Sequence, residues 1–448
     1  MTVYFRAMPL PVRRTIAATL VFMSLTSARP QSPALVGYWH NWNDFSAPYI
    51  ELDQVDPRYN VIEVAFAEPA PGTTYDMQFA PSLTAPATFI AQVAAHQALG
   101  RNVLISIGGA NATVQLNSDA ERDQFVASMM AIITTYGFDG IDIDLEGSSV
   151  STTGGTIAAP IDAPLTRLID AITTIMADYR AQFNAKLFLT MAPETAFVQG
   201  GQGAFGGIWG AYLPIIDALR DSLDILQVQL YNSGSMYGID GGIYTQGTAD
   251  FIISQTEAVI QGFSTGGGSF AGLQPEHVAV ALPACASAAG GGHTDTATVR
   301  AAMEYLLGEG PQPGSYALVQ PGGYPDLRGM MTWSINWDAV SACDGSYSYA
   351  ENFERIFDDF STVVPTIGST TMAVGPNPFV EMLTITLPAS NGGFVLRWLD
   401  ATGRAVRIDR VQALGTIDME TSSLRSGVYV LELSGISGQL WRARVIKE

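Results

Sequence analysis

From residue 35 to about 357, short apolar runs alternate with longer stretches whose apolar residues recur every three or four positions. The runs are LVGYWHNW (35–42), YNVIEVAFAEP (59–69), RNVLISIGGAN (101–111), FDGIDIDLEG (138–147), AKLFLTMAPET (185–195), LDILQVQLYNSG (223–234), HVAVALPACAS (277–287) and LRGMMTWSINWDA (327–339). Such runs predict buried strands, while stretches such as PATFIAQVAAHQALG (86–100) and AERDQFVASMMAIITTYG (120–137) carry the helical period. Eight strand–helix units predict an α/β fold in which a parallel sheet closes into a (β/α)8 TIM barrel. An open doubly wound sheet is the competing arrangement. No phosphate-binding glycine fingerprint follows the first run, which favours the barrel.

Beyond Phe360 the pattern changes. STVVPTIGSTT (361–371) has the Ser/Thr-rich composition of a linker. Residues 372–448 then offer short alternating runs (MLTITLP, FVLRWL, GVYVLELSG, WRARVIKE) broken by Gly and Asn turns, predicting a small all-β sandwich. At the other end Arg6, Arg13 and Arg14 precede an apolar run from Thr15 to Leu25 and small residues through Ala28. That is the form of a cleaved secretory signal, and the run is shorter than the roughly 20 residues a membrane span needs. The expected organisation is a signal over 1–28, a barrel over 35–360, a linker over 361–371 and a β-sandwich over 372–448. No membrane span is expected once the signal is removed, and the product is expected to be secreted or at the cell surface.

Charge sharpens this. The formal net charge is −20. Residues 372–448 hold 8 Lys/Arg and 7 Asp/Glu against 14 and 35 in residues 1–371, so the acidity belongs to the barrel. Nucleic acid and anionic membranes are disfavoured as partners, whereas a neutral polymer is not repelled. Of the two cysteines, Cys285 and Cys343, an exported chain can make a disulfide or two buried thiols, and the spacing leaves both open. Neither has the neighbours a zinc site requires, and neither a metal nor a cofactor is expected.

Chemistry concentrates in FDGIDIDLEG. In a strand Asp142, Asp144 and Glu146 share one face, and Ile141, Ile143 and Leu145 share the other, which outer helices would cover. The acids then point into the barrel, with Glu146 nearest the C-terminal mouth where active sites of this fold gather. Burying a row of ionised carboxylates costs many kcal/mol, so the row is expected to share protons and split its pKa values, leaving a proton donor poised near neutrality. A calcium loop is disfavoured because its twelfth position would be Thr153. A solvated acidic strand is disfavoured by the regular Ile/Ile/Leu face. The glycines at 290–292 read as a mouth loop, without the Lys-Ser/Thr of a phosphate cradle.

D-G-x-D-x-D-x-E at the end of the fourth run resembles the signature of family 18 glycoside hydrolases, the retaining chitinases. Other strand ends agree: SIGG (106–109), MAPET (191–195), QLYN (229–232), LPACASAAGGG (282–292) and MTWSINWD (331–338). The resemblance covers about residues 35–357. It implies substrate-assisted hydrolysis, outside the usual two-carboxylate scheme. Glu146 would be the general acid and then the general base. Asp144 would accept the N–H of the sugar's acetamido group, whose carbonyl oxygen attacks. Asp142 would share a proton with Asp144, and Tyr231 would position the acetamido group. For substrate binding it implies Trp333 as a stacking floor, Met191 along the wall, and Gln229 and Asn232 as polar contacts. Tyr38 is the preferred sugar contact among the aromatics after the first strand. Asp139, Ser106, Gly108 and Gly109 are expected as structural support. With only about 40 residues between the seventh and eighth strands, an open groove and endo-type cleavage of chitin or chitooligosaccharides are expected. The alternatives are an endo-β-N-acetylglucosaminidase acting on N-glycans and a non-catalytic chitin-binding lectin.

The tail has its own resemblance. PNPF (376–379), LTITLP, a Gly-Arg turn at 403–404, SGVYVLEL (426–433) and the closing RVIKE resemble the C-terminal sorting domain of type IX secretion in Bacteroidota. That implies the type IX machinery as a partner. A carbohydrate-binding sandwich would instead need an exposed aromatic row, for which Trp398, Tyr429 and Trp441 are available.

Overall fold

Continuous apolar runs make strands that can be buried on both faces, as a parallel sheet wrapped by helices requires. A computed structural model describes residues 33–357 and, further on, 373–386, 394–399, 405–411, 416–422, 424–435 and 440–448. The expected signal (1–28) and linker (361–371) lie outside these residues. The chain divides into two compact units, Met1–Phe357 and Asp358–Glu448.

In the first unit eight parallel strands follow the eight apolar runs: β1 Ala34–His40, β2 Val61–Pro69, β3 Asn102–Gly108, β4 Gly140–Asp144, β5 Phe188–Met191, β6 Ile225–Leu226, β7 Ala279–Pro283 and β8 Gly329–Trp333. Each strand from β1 to β5 pairs with the next, β7 pairs with β8, and β8 with β1. Parallel bridges Leu226↔Val278 and Gln229↔Ala281 close the ring between β6 and β7. The helices α1 Pro86–Ala98, α2 Asp119–Tyr136, α3 Ala163–Phe183, α4 Leu213–Leu219, α5 Ala249–Gln261, α6 Thr296–Leu306 and α7 Ser348–Phe357 complete the α/β barrel.

Local chemistry starts and stops these helices. The Ser118 side chain accepts the Glu121 amide at the start of α2, and Gly137 ends it in the left-handed conformation. Asp295 caps α6 by accepting from the amides of Ala297 and Thr298. Helix α3 turns Leu165, Leu168, Ile172, Ile175 and Tyr179 inward at helical spacing, each aliphatic side chain contributing about 1.5–3 kcal/mol by burial. No helix of the described residues is long and apolar enough to cross a membrane.

Strand alternation sorts the barrel interior into layers. A lower apolar layer includes Val36, Val61, Leu104 and Ile225. Two residues further along β1–β5, and two past Ile225 at the end of β6, a polar layer follows: Tyr38, Glu63, Ser106, Asp142, Thr190 and Gln227, none more than 1% exposed. Cys285 and Cys343 are joined in a disulfide, 58 residues apart in sequence, which decides the alternative the spacing left open.

The second unit contains two antiparallel sheets. One orders β9 Ala373–Gly375, β10 Met382–Thr386 and β13 Thr416–Glu420; the other orders β12 Ala405–Val411, β11 Phe394–Leu399, β14 Gly427–Gly435 and β15 Leu440–Lys447. Their core holds Phe379, Leu383, Leu396, Leu431 and Leu433 together with Trp398 and Tyr429. The last two aromatics are packing residues, not members of an exposed sugar-binding row.

Candidate active site

Strand β4 ends at Asp144, so Asp142 lies within the barrel, Asp144 at its rim and Glu146 just beyond, all on the inward phase. The three depart from one another in environment. Asp142 is completely buried: Oδ2 accepts the hydroxyls of Tyr38 at 2.7 Å and Ser106 at 2.6 Å, and Oδ1 lies 2.7 Å from the Thr190 hydroxyl. Asp144 is held toward Glu146. The Gln229 amide nitrogen lies 2.9 Å from Asp144 Oδ1, 3.2 Å from Glu146 Oε1 and 3.0 Å from the Ala192 carbonyl.

Burial raises all three carboxyl pKa values, with differing offsets. For Asp144, burial and then the neighbouring Glu146 and Asp142 carboxylates push the pKa well above the usual range. Glu146 is raised mainly by burial, against the Gln229 hydrogen bond. Asp142 is raised by burial against its hydroxyl donors. The row therefore keeps protons to higher pH than free carboxylates and does not ionise all at once.

Above it opens a cavity of about 420 Å³ lined by Asp144, Glu146, Gln229, Tyr231, Asn232 and Trp333, with Trp42, Phe66, Glu68 and Asn111 among its other walls. Trp333 forms an aromatic floor, stacked on Phe66 with centroids 5.9 Å apart and edge-on to Tyr38 at 5.3 Å. His40 stacks under Trp42 at 4.4 Å, and burial lowers its pKa to about 4, so it is neutral above that pH. Burial, with the Asp144 and Glu146 carboxylates next, raises the Tyr231 phenol well above its ordinary pKa, so its hydroxyl remains a donor. That hydroxyl has no hydrogen-bond partner among the described residues.

The supporting residues fall below and beside the row. Gly108 (φ 106°) carries no Cβ where one would stand 2.4 Å from the Asp144 carbonyl oxygen, and at Gly109 (φ 78°) one would stand 2.7 Å from the Phe66 ring. The Gly109 amide donates to the Asp144 carbonyl at 2.7 Å. Asp139 sits at the opposite end of β4, where its Oδ2 accepts the Val103 amide at 2.8 Å and fixes the chain entering the strand.

Two expectations need correction. Met191 does not line the wall. Its neighbour Thr190 points inward to Asp142, so alternation turns the fully buried Met191 outward beneath the helices. Tyr38 is 1% exposed and its hydroxyl is committed to Asp142, so it braces the acid row and does not meet a ligand. Gln229 and Asn232 both line the cavity, Gln229 with its amide engaged by both carboxyls and Asn232 with its Oδ1 accepting the Gly291 amide at 3.2 Å.

Sequence reasoning missed four residues. Glu63 and Gln227 belong to the polar layer, Thr190 bridges it, and Tyr212 clamps the backbone between the acids. The Tyr212 hydroxyl accepts the Leu145 amide at 2.7 Å and donates to the Leu145 carbonyl at 3.0 Å. A charge inside VIEVAF and the Gln227/Gln229 alternation in LQVQL were the available signals. Nothing local marked Tyr212.

Residues 34–353 match the family model described as glycosyl hydrolases family 18, and residues 373–448 match that of a secretion system C-terminal sorting domain. The chain is similar to Chitinase Chi52 of Paenibacillus xylanexedens, 46% identical over 312 residues that make up 68% of this chain and 59% of that protein. It is equally similar to Chitinase D of Niallia circulans, 46% identical over 313 residues, again 68% of this chain and 59% of the relative. The chain thus spans about three fifths of the length of these relatives. Among solved structures, a family GH18 chitinase from Chromobacterium violaceum is 38% identical with a TM-score of 0.63, covering 73% of this chain and 83% of that one.

Proposed function

The chain belongs to family 18 of the glycosyl hydrolases, and from that premise we propose that it cleaves β-1,4 linkages between N-acetylglucosamine units of chitin or chitooligosaccharides, with retention. The observation that carries this reading is the Asp144–Glu146 pair, held together by Gln229 beneath an open cavity floored by Trp333.

Glu146, its pKa raised by burial, donates its proton to the glycosidic oxygen as the bond to C1 breaks. The acetamido carbonyl oxygen of the same sugar bonds to C1 from the opposite face, so no second carboxylate attacks. Asp144 takes the acetamido N–H and stabilises the positive charge that develops on the ring so formed. The free Tyr231 hydroxyl holds the acetamido group in line. Glu146, now ionised, removes a proton from water as that water attacks C1 and the bond from C1 to the acetamido oxygen breaks, and two inversions give net retention. Asp142, held by its three hydroxyl neighbours, stands as the anion behind Asp144 and shares the Asp144 proton. Trp333 offers a broad apolar face to the sugar ring.

Between β7 and β8 the described residues contain α6 as the one helix of more than a turn and no strand, which supports an open groove and cleavage within chains. The C-terminal match marks the chain for export, and we assign that step to type IX secretion machinery acting on residues 372–448, after removal of a signal over 1–28. The domain limits 35–360 and 361–371 follow from the same reading.

The test is product profiling on N-acetylglucosamine oligomers with wild type and Glu146→Gln. Mixed-length products from wild type, with turnover lowered by at least about 10²-fold and binding retained in the variant, are expected. Disaccharide release from chain ends alone would overturn the endo assignment. Undiminished turnover in the variant would overturn the mechanism, and activity confined to a glycoprotein substrate would replace the substrate.

A further inference from the structure

Below the acid row lies a fourth carboxyl group that the mechanism does not use. Glu63, the third residue of β2, is 0% exposed. Its Oε1 lies 2.8 Å from the Thr190 hydroxyl oxygen and 2.6 Å from the Gln227 amide nitrogen, while no donor reaches Oε2. The same Thr190 oxygen lies 2.7 Å from Asp142 Oδ1.

A hydroxyl has one proton. Thr190 cannot donate to both carboxyl groups, so with both ionised one of the two contacts would set oxygen lone pairs against each other. One of the two acids therefore carries a proton and donates it to Thr190. The partners decide which. Asp142 already receives the hydroxyls of Tyr38 and Ser106, both suited to an anion. Glu63 has one oxygen without a donor, a costly arrangement for a buried charge and a tolerable one for a neutral acid. The groups acting on Glu63 electrostatically are Asp142, Asp144, Tyr38 and Tyr231, each neutral or negative. Burial, with Asp142 next, accordingly raises the Glu63 pKa well above the carboxylate range.

We propose that Glu63 is a positioning residue of the hydrolytic site, a neutral carboxylic acid that donates to Thr190 and thereby aims the Thr190 hydroxyl at Asp142, fixing Asp142 as the anion behind Asp144. The kinetic consequence rests on the hydrolase reading above. The protonation state does not, and the two are measured separately.

In the full chain at neutral pH, infrared spectroscopy reads the C=O stretch of neutral carboxylic acids apart from carboxylate bands. A neutral-acid band that persists in the Asp144→Asn/Glu146→Gln double variant and is lost in Glu63→Gln is expected. Loss of a carboxylate band in Glu63→Gln, or no neutral-acid band left in the Asp144→Asn/Glu146→Gln double variant, would overturn the proposal without any reference to turnover. In kinetics on chitooligosaccharides, Glu63→Leu removes the donor to Thr190 and is expected to lower kcat about tenfold or more with KM little changed. Glu63→Gln keeps an N–H donor and is expected to recover most of that loss. Equal losses in both variants would mean that the charge itself is required, and no loss in Glu63→Leu would make Glu63 a spectator; either result refutes the assignment. A wild type that does not hydrolyse these oligomers defeats the functional reading alone and leaves the infrared result standing.

Discussion

Replacing Gln229 with Leu tests the electrostatics of the acid pair directly. The side chain is 4% exposed, and its two N–H protons are divided among three acceptors: Asp144 Oδ1 at 2.9 Å, the Ala192 carbonyl at 3.0 Å and Glu146 Oε1 at 3.2 Å. A hydrogen bond to a charged group contributes about 1.5–3 kcal/mol. Because Glu146 is the most distant of three competing acceptors, the low end applies, which at 1.36 kcal/mol per unit is about one pKa unit. Gln229 favours the ionised form of Glu146, so its removal raises a pKa that burial has already raised. The general acid then stays protonated to higher pH. The alkaline limb of the kcat/KM profile on chitooligosaccharides, which reports protonated Glu146 in the free enzyme, is expected to move up by about one unit. The assay is a full pH profile of wild type and variant, each checked for fold by circular dichroism. A variant whose rate falls uniformly while the alkaline limb stays in place would refute the view that Gln229 acts on protonation.

Two further expectations follow from groups outside the cavity. Tyr212→Phe removes the hydroxyl that both accepts from and donates to Leu145 and leaves a buried amide unpaired, at a cost of about 1–3 kcal/mol; a lowered thermal midpoint together with reduced kcat is expected, and unchanged melting would show that β4 holds its end without the clamp. Asp338 accepts the Tyr59 hydroxyl and the amides of Tyr349 and Ala350, and burial raises its pKa to about 6. Because its folded pKa exceeds the unfolded value, its contribution is fully present below about pH 4 and is lost, to the extent of about 3 kcal/mol, as pH rises through about 6. Denaturant titrations from pH 4 to 7 should show the stability difference between wild type and Asp338→Asn shrinking with rising pH, and a flat difference would refute the assignment.

Much of the barrel was legible because its strands are covered on both faces, which writes them as uninterrupted apolar runs at a regular interval. The same rule made the acid row visible, since Asp142, Asp144 and Glu146 contradict the pattern around them. Glu63 contradicts it equally, but a lone charge in a strand has many structural explanations, and only its place across the barrel from Asp142 distinguishes it. Met191 was misplaced because a motif names residues and not phase: one step along β5 separates the Thr190 face from the helix-covered face. The hold of Gln229 on the acid pair was not legible because its two carboxyl partners stand 83 and 85 residues earlier in the chain.

By itself the sequence determined the order of strands and helices, the acidic row with its inward phase, and the change of architecture after the barrel. These are properties of hydrophobic period and of local backbone preference, which act over a few residues. Which groups share a proton was decided only by closure of the barrel, which brings Tyr38, Thr190 and Gln227 to Asp142 across separations of up to 104 residues and Gln227 to Glu63 across 164. The stagger of one strand against the next sets those meetings, and burial then fixes which carboxyls can hold a charge.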